Sequence, residues 1–326
     1  MGRTMRCRAW MLLGVLASLF CLPSRGLAQA KVAPSLAGVI DIHAHAAPQT
    51  GALNFQRQFD AIQAAQIAKI YGMRGIVLKE HTTETASWAY LVSQVVPGVE
   101  VFGGIVLNRY VGGMNPAAVE AMALTRGGLG KVVYMPTMDA EYRNEGQPGR
   151  VAISRGGRLL PETQEVLKVI AKHNLGLSTG HVSPAEVLML IRAARAVGIN
   201  KIYVQHPNHG GLVMSMTQLK EAAREGAMIE VVTSGEGLTG GPSGKGVPAV
   251  VDAENPTMDY GPQKIADIRA LGPANIILST DLGQPGRVNY AEAYQMAIAV
   301  LLKEGFTQAE IDLMTKINPA RFLGLQ

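Results

Sequence analysis

Cysteine is nearly absent from this 326-residue sequence, and the two present, Cys7 and Cys21, both lie in its first 30 residues. Beyond them the chain has no disulfide, no thiolate metal ligand and no cysteine nucleophile. Charged residues are scarce at 17% and aromatic residues at 5%, whereas 48% of the chain is hydrophobic. That balance excludes a disordered tail and supplies enough apolar area for a large core. After the N-terminal apolar run, no segment is long and charge-free enough for a membrane span, which takes about 20 apolar residues. Fixed-period repeats and low-complexity tracts are also missing.

A basic excess is missing too, once the N-terminus is set aside. Arg3, Arg6, Arg8 and Arg25 account for most of the net charge of +5, leaving 26 Lys+Arg against 25 Asp+Glu in the rest. With no interleaved basic and aromatic surface, nucleic acid is not an expected partner. The first 30 residues join a positive stretch (MGRTMRCR), an apolar run (WMLLGVLASLFCL) and Ala28-Gln29-Ala30, the parts of a secretory signal. The expectation is cleavage after Ala30, a mature domain over 31–326, and a periplasmic or secreted location without a stable membrane span. Phe20 is too bulky before Cys21 for a lipoprotein signal.

From Gly38 onward, short Val/Ile-rich runs alternate with stretches of helical period, the pattern of repeated βα units around a parallel sheet. Eight strands are expected: Gly38–Ala44, Gly75–Leu78, Val101–Leu107, Lys131–Pro136, Gly176–Thr179, Lys201–Gln205, Met228–Val232 and Asn275–Ser279. Helices are expected over Asn54–Tyr71, Pro161–His173, Pro184–Val197, Met216–Glu225 and Asn289–Leu302. The set fits an α/β fold, a (β/α)8 TIM barrel, with an open doubly wound sheet as the alternative. Met138–Leu160, turning at Arg155-Gly156-Gly157, reads as a small hairpin insertion after strand four. Ser234–Tyr260, rich in Gly and Pro, reads as a long loop after strand seven.

Histidine is sparse but ordered. In Asp41-Ile42-His43-Ala44-His45, ending the first strand, a two-residue period points Asp41, His43 and His45 to one face. Two imidazoles on one face suit Zn²⁺ or a similar ion. Leu78-Lys79-Glu80-His81 ends strand two, Thr179-Gly180-His181 follows strand five, Gln205-His206-Pro207 follows strand six, and Ser279-Thr280-Asp281 follows strand eight. In a barrel the carboxyl ends of all strands meet at one face, so these residues converge. Lys79 and His81 share a face and are candidates for substrate binding or a second metal, against a surface lysine beside a hydrogen-bonded histidine. Glu230 reads equally as a pocket residue or a buried structural one, Asn208 and His209 as rim residues, and His173 as a cation at a helix end. Gly240–Gly246 lacks the Ser or Thr and the first Gly of a phosphate loop.

This ordered set, with the closing Asn318-Pro319-Ala320-Arg321-Phe322-Leu323-Gly324-Leu325, resembles the amidohydrolase superfamily of metal-dependent barrels. Within it, Asp41–Pro48, Leu78–His81 and Ser279–Gln284 are most similar to a poorly characterised bacterial family. The resemblance implies that His43, His45, His181 and Asp281 hold a metal, with Asp281 also the base for a metal-bound water. It makes His206 either a catalytic electrophile or a ligand to a second ion. Strand four offers Lys131 only at its start, the wrong end for a bridging carboxylated lysine, so one divalent ion, Zn²⁺ by ligand type, is favoured over two.

The function implied is hydrolysis of a small-molecule amide, cyclic amide, ester or lactone through metal-bound hydroxide. A metal-dependent decarboxylase or other lyase on the same barrel is the alternative enzyme. A non-catalytic periplasmic metal- or solute-binding protein is the alternative outside catalysis. A homo-oligomer is compatible with either.

Overall fold

The computed structural model describes residues 33–326 except 54, 145, 210–211 and 234–259. The expected signal segment and almost all of the long loop after strand seven lie outside the described residues. Eight parallel strands run in the order of the chain: β1 (Ile40–His45), β2 (Gly75–Lys79), β3 (Glu100–Val106), β4 (Gly130–Tyr134), β5 (Gly176–Ser178), β6 (Ile202–Val204), β7 (Met228–Val232) and β8 (Ile276–Ser279). Eight helices alternate with them: α1 (Ala61–Ile70), α2 (Ala86–Val95), α3 (Pro116–Ala123), α4 (Pro161–Lys172), α5 (Pro184–Ala196), α6 (Met216–Arg224), α7 (Tyr260–Leu271) and α8 (Tyr290–Lys303). This is the (β/α)8 barrel, and the open-sheet alternative falls. Among the described residues no helix is long and apolar enough to cross a membrane.

The strands are buried on both faces, which is why they read as continuous apolar runs. Ile40, Ile42, Val77, Val132, Tyr134, Tyr203 and Ile277 fill the barrel, while the outward residues pack beneath the helices. Local chemistry fixes where helices begin. Capping boxes start α1 at Asp60/Gln63, α5 at Ser183/Glu186, α6 at Ser215/Gln218 and α8 at Asn289/Glu292.

The closing segment plugs the amino-terminal end of the barrel. Phe322, in the helix Asn318–Leu323, meets Tyr203 edge-on at 5.0 Å. It also lies so close to Gly176 that a Cβ there would come within 2.4 Å of its ring. Asn318 Nδ2 donates to the carbonyls of Pro273, Ala274 and Ile276, anchoring the helix below β8.

The seam between β1 and β8 closes just beyond the end of β8, where Asp281 N donates to His43 O at 2.9 Å and His45 N to Leu282 O at 2.8 Å. Tyr294 Oη, from α8, donates to Leu278 O at 2.8 Å and Ile40 O at 3.3 Å, tying both strands to the outer layer. A register shift between Asp41 and Ala44 bulges β1 here. It corrects the simple alternation expected for Asp41-Ile42-His43-Ala44-His45. Asp41 turns to the seam, accepting from His43 N, Thr280 N and Thr280 Oγ1, whereas His43 and His45 turn to the barrel mouth.

The helix expected from Asn54 begins only at Ala61, because Asp60 caps it there. A 3-10 turn at Gly51–Leu53 and an irregular segment over 55–59 precede it, and the latter brings Arg57 to the mouth. The hairpin after β4 is present as Ser154–Arg155 paired with Arg158–Leu159, with both turn glycines at positive φ (54° and 74°). A second small hairpin, Asn208–His209 with Leu212–Val213, follows β6 and was not anticipated by the strand pattern.

Replacing Asp41 with Ala leaves three buried donors at the seam without their acceptor, and a cost of about 3 kcal/mol is expected. Urea unfolding of the variant beside wild type measures it; an unchanged midpoint would show that the seam does not depend on this carboxylate.

Candidate metal centre

The barrel mouth collects the side chains that end the strands. Histidine at the ends of β1, β2, β5 and β6, lysine at the end of β2 and aspartate after β8 enclose a cavity of about 180 Å³. It is lined by His45, Lys79, His81, His181, His206 and Asp281, with Phe55, Arg57, Met138, Arg143 and Gln284 at its edge.

At its base, His43 Nε2 lies 3.0 Å and His45 Nε2 3.2 Å from the same oxygen of Asp281. Two imidazole nitrogens and a carboxylate oxygen so close together could hold one metal ion. His45 Nδ1, the ring nitrogen turned away from Asp281, is buried without a hydrogen-bond partner among the described residues, so no bond to the chain fixes this ring's tautomer. Asp281 has φ 52° and His206 φ 20°, conformations that non-glycine residues rarely adopt. For Asp281 the seam bond to His43 O supplies the restraint that keeps it there.

Glu230 takes the structural role left open by the sequence. Its Oε1 accepts from His43 Nδ1 at 2.8 Å and Ser279 Oγ at 2.6 Å, and its Oε2 from His206 N at 2.9 Å. The carboxylate fixes the proton of His43 on Nδ1 and turns Nε2 towards the site, the orientation that suits an imidazole for a cation.

Lys79 is fully buried rather than a surface residue, with Nζ 2.7 Å from His43 Nε2 and 4.7 Å above the ring of Tyr134. Burial lowers its pKa to about 8, against the pull of Asp281 and Glu230. Burial and the Lys79 charge both oppose protonation of His43, yet Glu230 and Asp281 together raise its pKa. Burial likewise opposes ionisation of Asp281, but the charge and hydrogen bond of His43 hold its pKa well below the ordinary range. His45 is driven well below the usual imidazole value by burial and by Arg57. A metal ion at His43 Nε2 would therefore compete with a proton and with the lysine ammonium.

His181 and His206 form a second pair, Nε2 to Nε2 3.3 Å apart, with Gln205 Nε2 at 3.0 Å from each. They stand beside the His43–His45–Asp281 group, linked to it by stacking of His206 on His43 at 5.7 Å. His181 is thus in the mouth but outside the three-residue group. His81 lines the cavity with Lys79, as their shared face predicts, and its Nδ1 lies 3.0 Å from Thr137 Oγ1. Glu80 points away and pairs with Arg57. Outside the mouth, His173 pairs with Glu120 at 3.1 Å.

Sequence reasoning missed Arg57, Arg143, Gln205 and the Asn108–Thr137 pair that braces His81. Gln205 was detectable, as the neighbour of a strand-end histidine. The two arginines lie on irregular segments whose paths no periodicity reveals.

Comparison with solved structures agrees with the barrel. An organophosphorus hydrolase from Deinococcus radiodurans superposes with a TM-score of 0.54 at 14% identity, over 89% of this chain and 93% of that one. A mutant of a phosphotriesterase-like (PTE-like) lactonase from the same organism gives 0.55 at 14% identity, over 90% and 98%. A structure from the engineering of organophosphate hydrolysis on a weak promiscuous lactonase template gives the same values. At such identity the likeness establishes the fold. No curated protein matches the sequence. Residues 38–230 match a family of unknown function (DUF6282). That match takes in β1 to β6, most of β7 and every mouth histidine, more than half of the chain, and the protein belongs to this family.

Proposed function

We propose that the protein is a metal-dependent hydrolase of a small-molecule amide, cyclic amide, ester or lactone. The observation that carries this reading is the approach of His43 Nε2 and His45 Nε2 to one Asp281 oxygen at the floor of an open cavity. The hydrolase and lactonase names of the structures sharing this barrel are consistent with it.

His43, His45 and Asp281 would hold the ion, with His181 and His206 near enough to take part. Imidazole and carboxylate donors suit Zn²⁺. A divalent ion held there would supply Lewis acidity, which makes bound water a stronger nucleophile at neutral pH and polarises a carbonyl oxygen. Asp281 keeps a second carboxylate oxygen beyond the one shared by the histidines and takes the proton as water adds. His206, fixed through its backbone N–H to Glu230, lines the cavity and would act on the substrate oxygen as an electrophile. Glu230 keeps His43 in one tautomer, and Lys79 and His81 contact substrate from the β2 side. Export to the periplasm or beyond, through a signal ending at Ala30, completes the reading.

Elemental analysis of the purified mature chain beside His43→Ala and Lys79→Ala tests the ligand set. About one ion per chain, lost with His43 and kept without Lys79, is expected. Two ions falling to one without Lys79 would show a lysine-bridged pair instead, and no ion after reconstitution would overturn the reading. Against a panel of amides, esters and lactones, Asp281→Asn should lose at least about a hundredfold in turnover, the scale of general-base catalysis. Full rate would remove Asp281 from the mechanism, and release of CO₂ would indicate a lyase. Glu230→Gln should weaken metal affinity by about tenfold to a hundredfold in chelator competition, because it loosens the orientation of His43.

A further inference from the structure

The cavity lining carries three cationic side chains, Arg57, Lys79 and Arg143, against one carboxylate, Asp281, which is turned to His43 and His45. The three are not equivalent. Arg57 is buried and bonded through Nε and Nη2 to Glu80, so its charge is answered from behind the wall. Lys79 lies against His43 at the floor. Arg143 has no carboxylate within ion-pair distance among the described residues, and its Nη1 donates only to His181 Nδ1, at 3.2 Å.

The mounting of Arg143 is as specific as its direction. It sits in the 3-10 turn Tyr142–Asn144 of the insertion after β4, exposed at the rim with its guanidinium reaching inward. Arg143 N and Asn144 N both donate to Ala140 O at 3.2 Å, and Asn144 Nδ2 donates to Met138 O and Ala140 O. Asp139 holds the base of the turn, accepting from Arg109 N at 3.0 Å and donating its own N–H to Asn108 Oδ1 at 3.2 Å. The backbone is fixed while the head of the side chain is held by one neutral ring nitrogen.

A guanidinium only donates, so this contact requires a lone pair on His181 Nδ1. With that one neutral partner and no carboxylate, the guanidinium lines the cavity with N–H groups left over, and its planar fork matches an oxyanion.

Resting on the hydrolase reading of the same pocket, we propose that Arg143 is the specificity-determining residue for a substrate that carries an oxyanion group, a carboxylate or a phosphate, held at the rim while the scissile bond lies over His43, His45 and Asp281. The insertion after β4 is then the part of the barrel that selects the substrate.

The test is calorimetric titration of the zinc-reconstituted mature protein with glutarate, with inorganic phosphate and with uncharged 1,5-pentanediol, for wild type, Arg143→Ala and Arg143→Lys. Metal content and melting temperature are measured on the same samples. At least one anion should bind and the diol should not. Arg143→Ala should weaken the anion at least about tenfold and Arg143→Lys less, because lysine keeps the charge and loses the fork. The anion that loses affinity distinguishes carboxylate from phosphate. Equal anion affinity in Arg143→Ala, binding of the diol as tight as that of the anions, or no anion binding by the wild type would overturn the proposal. Samples that take up no metal would overturn the hydrolase reading separately, and the arginine comparison remains decisive in them.

Discussion

Two backbone hydrogen bonds, Asp281 N to His43 O and His45 N to Leu282 O, join the end of β1 to the segment after β8, and the site depends on them. The residues that close the barrel are the same residues, or the immediate neighbours, of those whose side chains face the mouth. Closure brings Asp281 within 3.2 Å of both histidines although 236 positions separate it from His45. The bulge at Asp41 makes the arrangement consistent, since it lets Ile42 remain in the apolar barrel filling while His43 and His45 both reach the mouth. Asp41 meanwhile turns its carboxylate to the seam, where Thr280 and the His43 N–H answer it.

Much of this was legible in the sequence because the barrel strands are buried on both sides and stand out as Val/Ile runs between helical stretches. All eight expected strands are present within a few residues of their predicted ends. Once they are placed, the carboxyl-end rule gathers His43, His45, His81, His181, His206 and Asp281 without further information. What periodicity could not show is what depends on departures from it. The β1 bulge, the late start of α1 at Asp60 and the path of the β4 insertion are set by individual hydrogen bonds, and Arg57 and Arg143 arrive in the mouth through the last two. Glu230 was ambiguous because a buried strand carboxylate looks the same in sequence whether it faces a substrate or orients a neighbour.

The electrostatics of the floor suit exchange of one cation for another. Glu230 is buried and Asp281 half-buried against His43, and two such carboxylates around a neutral imidazole would be costly. The ammonium of Lys79, against His43 Nε2, meets part of that cost from within the chain, and the two carboxylates raise the pKa of His43 against burial and the Lys79 charge. A metal at His43 Nε2 would take over the same compensation and displace the proton and the lysine from the position they share. Lys79 has somewhere to go, because it lines the cavity and packs on the π face of Tyr134 rather than on a fixed carboxylate. A floor whose charge is balanced with or without an ion would let metal occupancy change without unfolding the barrel, and loading of the site would then be separable from stability of the fold.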